Sequence, residues 1–113
     1  MATLHVTAES LTVRLTRAEK LAGLLRDVEV PRSAVRSVKV EADALRAVRG
    51  LRAPGLGLPG RKIGTWRHRG ERTLVSVRRS QPAVRIRLDG QRYDTLLVGT
   101  DDAATLAEIL RAT

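Results

Sequence analysis

The chain has 113 residues, 42% of them apolar, which is enough for one hydrophobic core and excludes disorder of the chain as a whole. It contains no cysteine, which excludes disulfides and thiolate metal sites, and its longest apolar run, residues 21–25, is too short to span a bilayer. The formal net charge of +9 predicts attraction to anions.

The first part of the chain predicts four short strands and a helix. Apolar and polar residues alternate over 3–7 and 10–16, which is typical of half-buried strands, and the short link between them predicts a hairpin. A capping-box sequence then predicts a two-turn helix over 17–25. Valines alternate with polar residues at 28–30 and 37–41, so we expect two more strands, separated by Pro31 and a turn.

The middle of the chain predicts a helix, a loop and a hairpin. Asp43 is a candidate N-cap for a short helix over 44–49. Three glycines and two prolines in residues 51–60 predict an irregular loop, which acts as a lid or strand crossover. Alternation over 61–68 and 73–79 predicts two strands that turn at Arg69-Gly70.

The last part of the chain predicts a second hairpin and a helix. Residues 83–88 alternate, and Asp89-Gly90 is the pair favoured in type I′ turns, so 91–98 is expected to be the returning strand. Its apolar run at 96–98 indicates a bulge or a strand end buried on both faces. Asp101 begins an amphipathic helix over 101–112, in which Leu106 and Leu110 should be buried.

Together these elements predict one mainly β domain over 1–113, with seven to eight antiparallel strands and a C-terminal α-helix over one open end. Segments 28–38, 51–60 and 84–110 resemble the small PH-like domains of bacteria, in particular those of actinobacteria. The resemblance implies a PH-like β-sandwich or partly open barrel. It also implies a binding or assembly module that is not an enzyme, with headgroups, peptides or proteins as partners and a tendency to self-associate.

The excess positive charge is confined to residues 46–79, which contain ten basic residues and one acidic residue, Glu71. Two interpretations stay open. An arginine-rich surface can simply reflect a GC-rich genome, with no partner involved. Alternatively, the stretch binds an acidic protein surface or an anionic membrane surface, or, as a second choice, a nucleic-acid backbone without strong sequence preference. The candidate binding residues are Arg49, Arg52, Arg61, Lys62, Trp66, Arg67, Arg69 and Arg72.

Residues suited to catalysis are sparse. His5 and His68 are the only histidines and lack metal-ligand spacing, so no metal or cofactor is expected. Ser76, His68 and Asp94 could together form a hydrolase triad, but no nucleophile-elbow sequence accompanies them. Residues 51–60 lack the Lys-Ser/Thr ending of a phosphate-binding loop. We therefore expect a non-catalytic protein that forms a homo-oligomer. Its expected location is the cytoplasm, either free or as a peripheral protein at the inner membrane face.

Overall fold

The computed structural model of the chain describes residues 3–15, 27–42, 51–58, 61–68, 70–79 and 81–111; for residues 3, 51–58, 61 and 68 only the backbone is described. The expected helices over 17–25 and 44–49 lie outside these residues. The strands are β1 (Thr3–Val6), β2 (Ser10–Arg14), β3 (Val28–Pro31), β4 (Val35–Glu41), β5 (Leu51–Leu58), β6 (Arg61–His68), β7 (Glu71–Arg78), β8 (Ala83–Leu88) and β9 (Thr95–Gly99). A 3-10 turn spans Arg32–Ala34, and the helix α1 spans Ala103–Arg111.

The first three strands form an antiparallel sheet in the order β1-β2-β3. The predicted hairpin between β1 and β2 is confirmed, and the amide of Thr7 closes it by donating to the carbonyl of Ser10 at 2.8 Å. The second strand is two residues shorter than expected. Its alternation holds, since Leu11 and Val13 are fully buried and Arg14 is exposed.

The other six strands form a mixed sheet in the order β4-β8-β9-β7-β6-β5. The expectation that all strands are antiparallel is wrong for one pair, because β7 and β9 run parallel. Strand β9 lies between β7 and β8 and is antiparallel to β8, so β7 and β8 run in opposite directions. The structure therefore has nine described strands where seven to eight were expected, and these strands do not close into a barrel.

The segment predicted as an irregular loop, residues 51–60, contains strand β5 over Leu51–Leu58. Among the described strands β5 pairs only with β6, and its register shifts between Arg52 and Gly55, so Ala53 and Pro54 leave the ladder. Proline is tolerated on an edge strand or in a bulge because no ladder hydrogen bond is lost there. The prediction of a loop was wrong because an edge strand tolerates glycine and proline residues that would disrupt a central strand.

The connection after β8 is wider than a two-residue turn. Strand β9 begins only at Thr95, and the amide of Leu88 donates to the carbonyl of Asp94 at 2.8 Å across a six-residue loop. Within that loop Gly90 has a positive φ of 66°, as its place in a turn requires. Tyr93 is buried in the core, and the expected strand over 91–98 is observed only from Thr95 onward. The run 96–98 is indeed buried on both faces, because β9 is central in its sheet.

A single main core joins the two sheets and the helix. Leu11 and Val30 of the first sheet share this core with Ile86 and Leu96 of the second. A mainly β fold with a C-terminal helix is therefore confirmed.

Helix α1 packs on β4 and β8 and buries three residues, Ala103, Ala107 and Leu110. The expected burial of Leu110 is confirmed, but Leu106 is only partly buried. Arg32 and Arg111 tie the helix to its surroundings. Arg32 donates to the carbonyl of Ile109, and Arg111 donates to that of Val38. These bonds use both arginines to fix the helix against the sheet.

Candidate anion-binding surface

The basic stretch forms three consecutive strands, β5, β6 and β7, at one side of the six-stranded sheet. Of the eight predicted binding residues, six lie on these strands and two, Arg49 and Arg69, lie outside the described residues. Arg52 is on β5, Arg61, Lys62, Trp66 and Arg67 are on β6, and Arg72 is on β7. The chain segment with the highest charge therefore forms one continuous part of the fold.

Hydrogen bonds fix how β6 and β7 face each other. Both backbone groups of Arg72 bond to Asp94, its amide at 2.8 Å and its carbonyl at 2.9 Å, so they point away from β6. Alternate residues of a central strand bond to opposite neighbours. The residue of β6 opposite Arg72 is Arg67, and these two therefore form a non-hydrogen-bonded pair. By the same alternation Arg61 and Arg78 form another such pair, six residues along β6 from the first.

The register thus sets arginine opposite arginine at two positions. In a non-hydrogen-bonded antiparallel pair the Cα atoms are only about 4.5 Å apart, the closest approach that opposed side chains have in a sheet. The side chains of Arg67, Arg72 and Arg78 are all exposed. Among the described residues no carboxylate lies within 4.0 Å of any of the three. The Arg67–Arg72 pair therefore adds like-charge repulsion to the folded state.

Arginines elsewhere in the same sheet have carboxylate partners. Arg85 of β8 donates to Glu41 of β4 at 3.0 Å, and both side chains are mostly buried. Arg87 of β8 donates to Glu71 at 3.2 Å, with each side chain about half exposed. Arg85 and Arg87 are thus neutralised across strands, whereas Arg67, Arg72 and Arg78 have no carboxylate neighbour in the described part of the chain.

This arrangement suits an anion with oxygen acceptors. An anion between two guanidinium groups turns their repulsion into two attractions, and arginine binds carboxylate or phosphate through paired N–H groups. At about 3.3 Å per residue, the two arginine pairs are roughly 20 Å apart along the strands. One small ion cannot contact both pairs, and residues between them on the same face, Ile63 and Leu74, are buried in the main core, so each pair would bind a separate anionic group.

The structure revises one predicted binding residue and adds another. Trp66 is only 5% exposed and packs with Val75, Val77 and Leu97, so its ring is not available to stack on a base or headgroup. Lys62 is four residues before Trp66 on β6, so its side chain lies on the same face as the Trp66 ring, where it is half-buried. Arg78 was not among the predicted residues, although the register of the predicted turn at Arg69-Gly70 would have placed it opposite Arg61.

The hydrolase set does not come together. The register places His68 opposite Glu71, and Ser76 is five residues farther along β7. This spacing corresponds to roughly 16 Å, far beyond hydrogen-bond distance. Asp94 uses its carboxylate to accept the amide of Arg72. Across the described part of the chain, no three His, Asp or Glu side chains form a group that would hold a metal ion.

Comparison of the chain with models of protein families, with curated proteins and with solved structures gives no match. In the part of the chain that the structure describes, no helix has the length and apolar character needed to span a membrane.

Proposed function

We propose that this chain is a non-catalytic binding or scaffold module that meets an anionic partner through the basic 46–79 region. The partner is an acidic protein surface or a layer of anionic lipid headgroups. The observation that carries the proposal is the opposition of Arg67 and Arg72, both exposed and without a carboxylate neighbour among the described residues. Like charges directly opposite each other destabilise a sheet, so an unpaired arginine pair costs stability without a partner.

A second arginine pair on the same two strands supports a partner with several anionic groups. Arg61 and Arg78 form a second opposed pair on the same face of β6 and β7. The pairs are about 20 Å apart, with the buried residues Ile63 and Leu74 between them, so each pair would meet a different anionic group of the partner. The PH-like resemblance of segments 28–38, 51–60 and 84–110 agrees with a binding role, and we propose that family relation on the same grounds. Lipid as the partner would make the protein a peripheral one at the inner membrane face.

The proposal is tested by co-sedimentation with vesicles of phosphatidylcholine alone and of phosphatidylcholine with phosphatidylglycerol. An increase in bound protein with the anionic lipid identifies headgroups as the partner. The double variant Arg67→Gln, Arg72→Gln should lose most of this binding. The control variant Arg14→Gln, Arg36→Gln removes the same charge from two exposed positions outside the surface. Equal losses in both variants would mean that net charge alone causes the binding, which contradicts the proposal.

An acidic protein partner gives a different result. Vesicles of either kind would then leave the protein in solution, while immobilised poly-glutamate would retain it and release the Arg67→Gln, Arg72→Gln variant at lower salt. Nucleic acid is the alternative, because guanidinium pairs also bind a phosphate backbone. A steep fall of DNA affinity with salt, together with no binding to anionic vesicles or poly-glutamate, would favour it. Failure to bind any of these polyanions would leave the basic stretch as a solvated surface.

A further inference from the structure

On its side away from β2, strand β3 pairs with no described strand, and the hydrogen-bonding groups of that edge can be identified. The amide of Thr7 donates to Ser10, so residues 10, 12 and 14 of β2 bond to β1. The amide of Arg32 donates to the carbonyl of Glu9 at 3.0 Å, which shows that odd-numbered residues of β2 bond to β3. Leu11 lies opposite Val30, and Val13 lies opposite Val28. Val28 and Val30 therefore bond to β2, and Glu29 between them points its N–H and C=O away from it.

The outward backbone groups of Glu29 have no hydrogen-bond partner among the described residues. Pro31 occupies the next outward position and has no N–H, so pairing by an added strand would centre on Glu29. The edge of β4 differs, because Arg111 donates to its outward carbonyl at Val38 through two nitrogens, at 3.1 and 2.7 Å. A side chain of the protein itself thus occupies the edge of β4, whereas the outward N–H and C=O of Glu29 have no partner in the described part of the chain.

A cleft of about 500 Å³ runs along this edge of β3 and has the loop after β8 as its other wall. Val30, Leu88 and Tyr93 are buried residues that give it an apolar floor. Glu29 is exposed at the rim, on the side of β3 opposite to the valines. The opposite wall carries Arg92, whose guanidinium carbon lies 5.8 Å from the centre of the Tyr93 ring. The cleft therefore combines a strand edge, an apolar floor and a charged rim.

The cleft lining has a small excess of acid in a basic protein, with Asp27 and Glu29 against Arg92. Residues 3–15 and 27–31 contain three carboxylates, Glu9, Asp27 and Glu29, against one guanidinium, Arg14. The chain as a whole carries +9. Opposite charges that face each other across neighbouring strands stabilise the pair. A basic side chain on an added strand would meet Glu29 in this way.

We infer that an extended peptide binds in this cleft as a fourth strand of the β1-β2-β3 sheet. One of its residues exchanges two hydrogen bonds with Glu29, and the side chain of that residue lies on the same face as the Glu29 carboxylate, which selects lysine or arginine. The peptide residues before and after it point to the opposite face, toward Val30, Leu88 and Tyr93, which selects apolar side chains. The recognised sequence therefore alternates apolar and basic residues. This site does not depend on the arginine pairs of β6 and β7.

The test uses the blocked peptide acetyl-Thr-Val-Lys-Val-Lys-Val-Thr-amide and amide hydrogen exchange followed by NMR. In the free protein the amides of Val28 and Val30 should exchange slowly, and that of Glu29 should exchange fast. The peptide should slow the exchange of Glu29 because its amide gains an acceptor. The same peptide N-methylated at both lysines should not bind, since it has lost the donors that face β3. Binding with no change at Glu29 would overturn the inference, and so would the absence of binding at millimolar peptide.

The charge preference is tested with a fluorescent form of the peptide. Replacing both lysines of the peptide with glutamate should abolish binding. The variant Glu29→Gln should weaken binding of the lysine peptide about 1.5- to 5-fold, the range for one cross-strand ion pair. Glu108→Gln, an exposed acid on α1, is the matched control and should have no effect. Equal affinity of the lysine and glutamate peptides would refute the charge preference. Slowing of Glu29 exchange by a rise in protein concentration alone would identify a second copy of the chain as the occupant and overturn the inference.

Discussion

Replacing Arg67 with glutamate should make the protein more stable while weakening its binding to anions. In the folded protein Arg67 lies opposite Arg72 at a non-hydrogen-bonded position, where opposed side chains are closest. The variant Arg67→Glu turns this repulsive pair into an attractive one. A surface selected for stability alone would not carry such a pair, so the gain in stability would itself indicate that the arginines serve another purpose.

The magnitude follows from cross-strand pair energies. An opposite-charge pair contributes about 0.2–1 kcal/mol, and a like-charge pair costs a similar amount. The change from one to the other is therefore about 0.4–2 kcal/mol, and because both side chains are exposed and screened we expect the lower half of that range. Arg67→Gln removes the repulsion without adding attraction, so it should give about half of the gain.

The assay is urea unfolding followed by circular dichroism, at 20 mM and at 1 M sodium chloride. The gain from Arg67→Glu should shrink at high salt, since screening weakens both the repulsion and the attraction. Arg87→Glu is a control with the opposite expected effect. Arg87 is paired with Glu71 at 3.2 Å, so reversing the charge of residue 87 makes this pair repulsive and should destabilise the fold. A loss of stability in Arg67→Glu, or a gain that salt does not reduce, would refute the reasoning.

The remaining predictions concern packing and assembly. Leu110→Ala should cost about 2–4 kcal/mol in unfolding free energy by leaving a cavity, whereas the half-buried Leu106→Ala and the exposed Ile109→Ala should cost progressively less; equal costs for the three would contradict the packing of α1. Trp66, the only tryptophan, should be poorly quenched by acrylamide, and anionic vesicles should leave its emission unchanged; a shift on vesicle binding would mean that its ring meets the partner. Light scattering at tens of micromolar should show at least a dimer, and a strict monomer would refute self-association.

The sequence by itself determined most of the strands and the buried faces. Alternating valines and leucines gave β2, β3, β4 and β8, because a period of two fixes which side chains meet the core whatever strand lies alongside. The last helix followed from its apolar spacing. The confinement of positive charge to residues 46–79 is also a property of the sequence. Even the opposition of Arg67 and Arg72 follows from the turn at residues 69–70, since a hairpin turn sets the register of its strands.

Only the tertiary structure decided which strands are neighbours and which residues are covered. Nothing local to residues 95–99 shows that β9 lies between β7 and β8; that place depends on burying both faces of Leu96, Leu97 and Val98, which needs strands distant in sequence. Residues 51–58 form a strand because β6 offers an edge, which local composition does not encode. The burial of Trp66 likewise arises from long-range packing, and so does the lack of a described strand beside Glu29. Local periodicity specifies the face that a residue occupies, whereas its partners depend on chain segments that meet only in the folded protein.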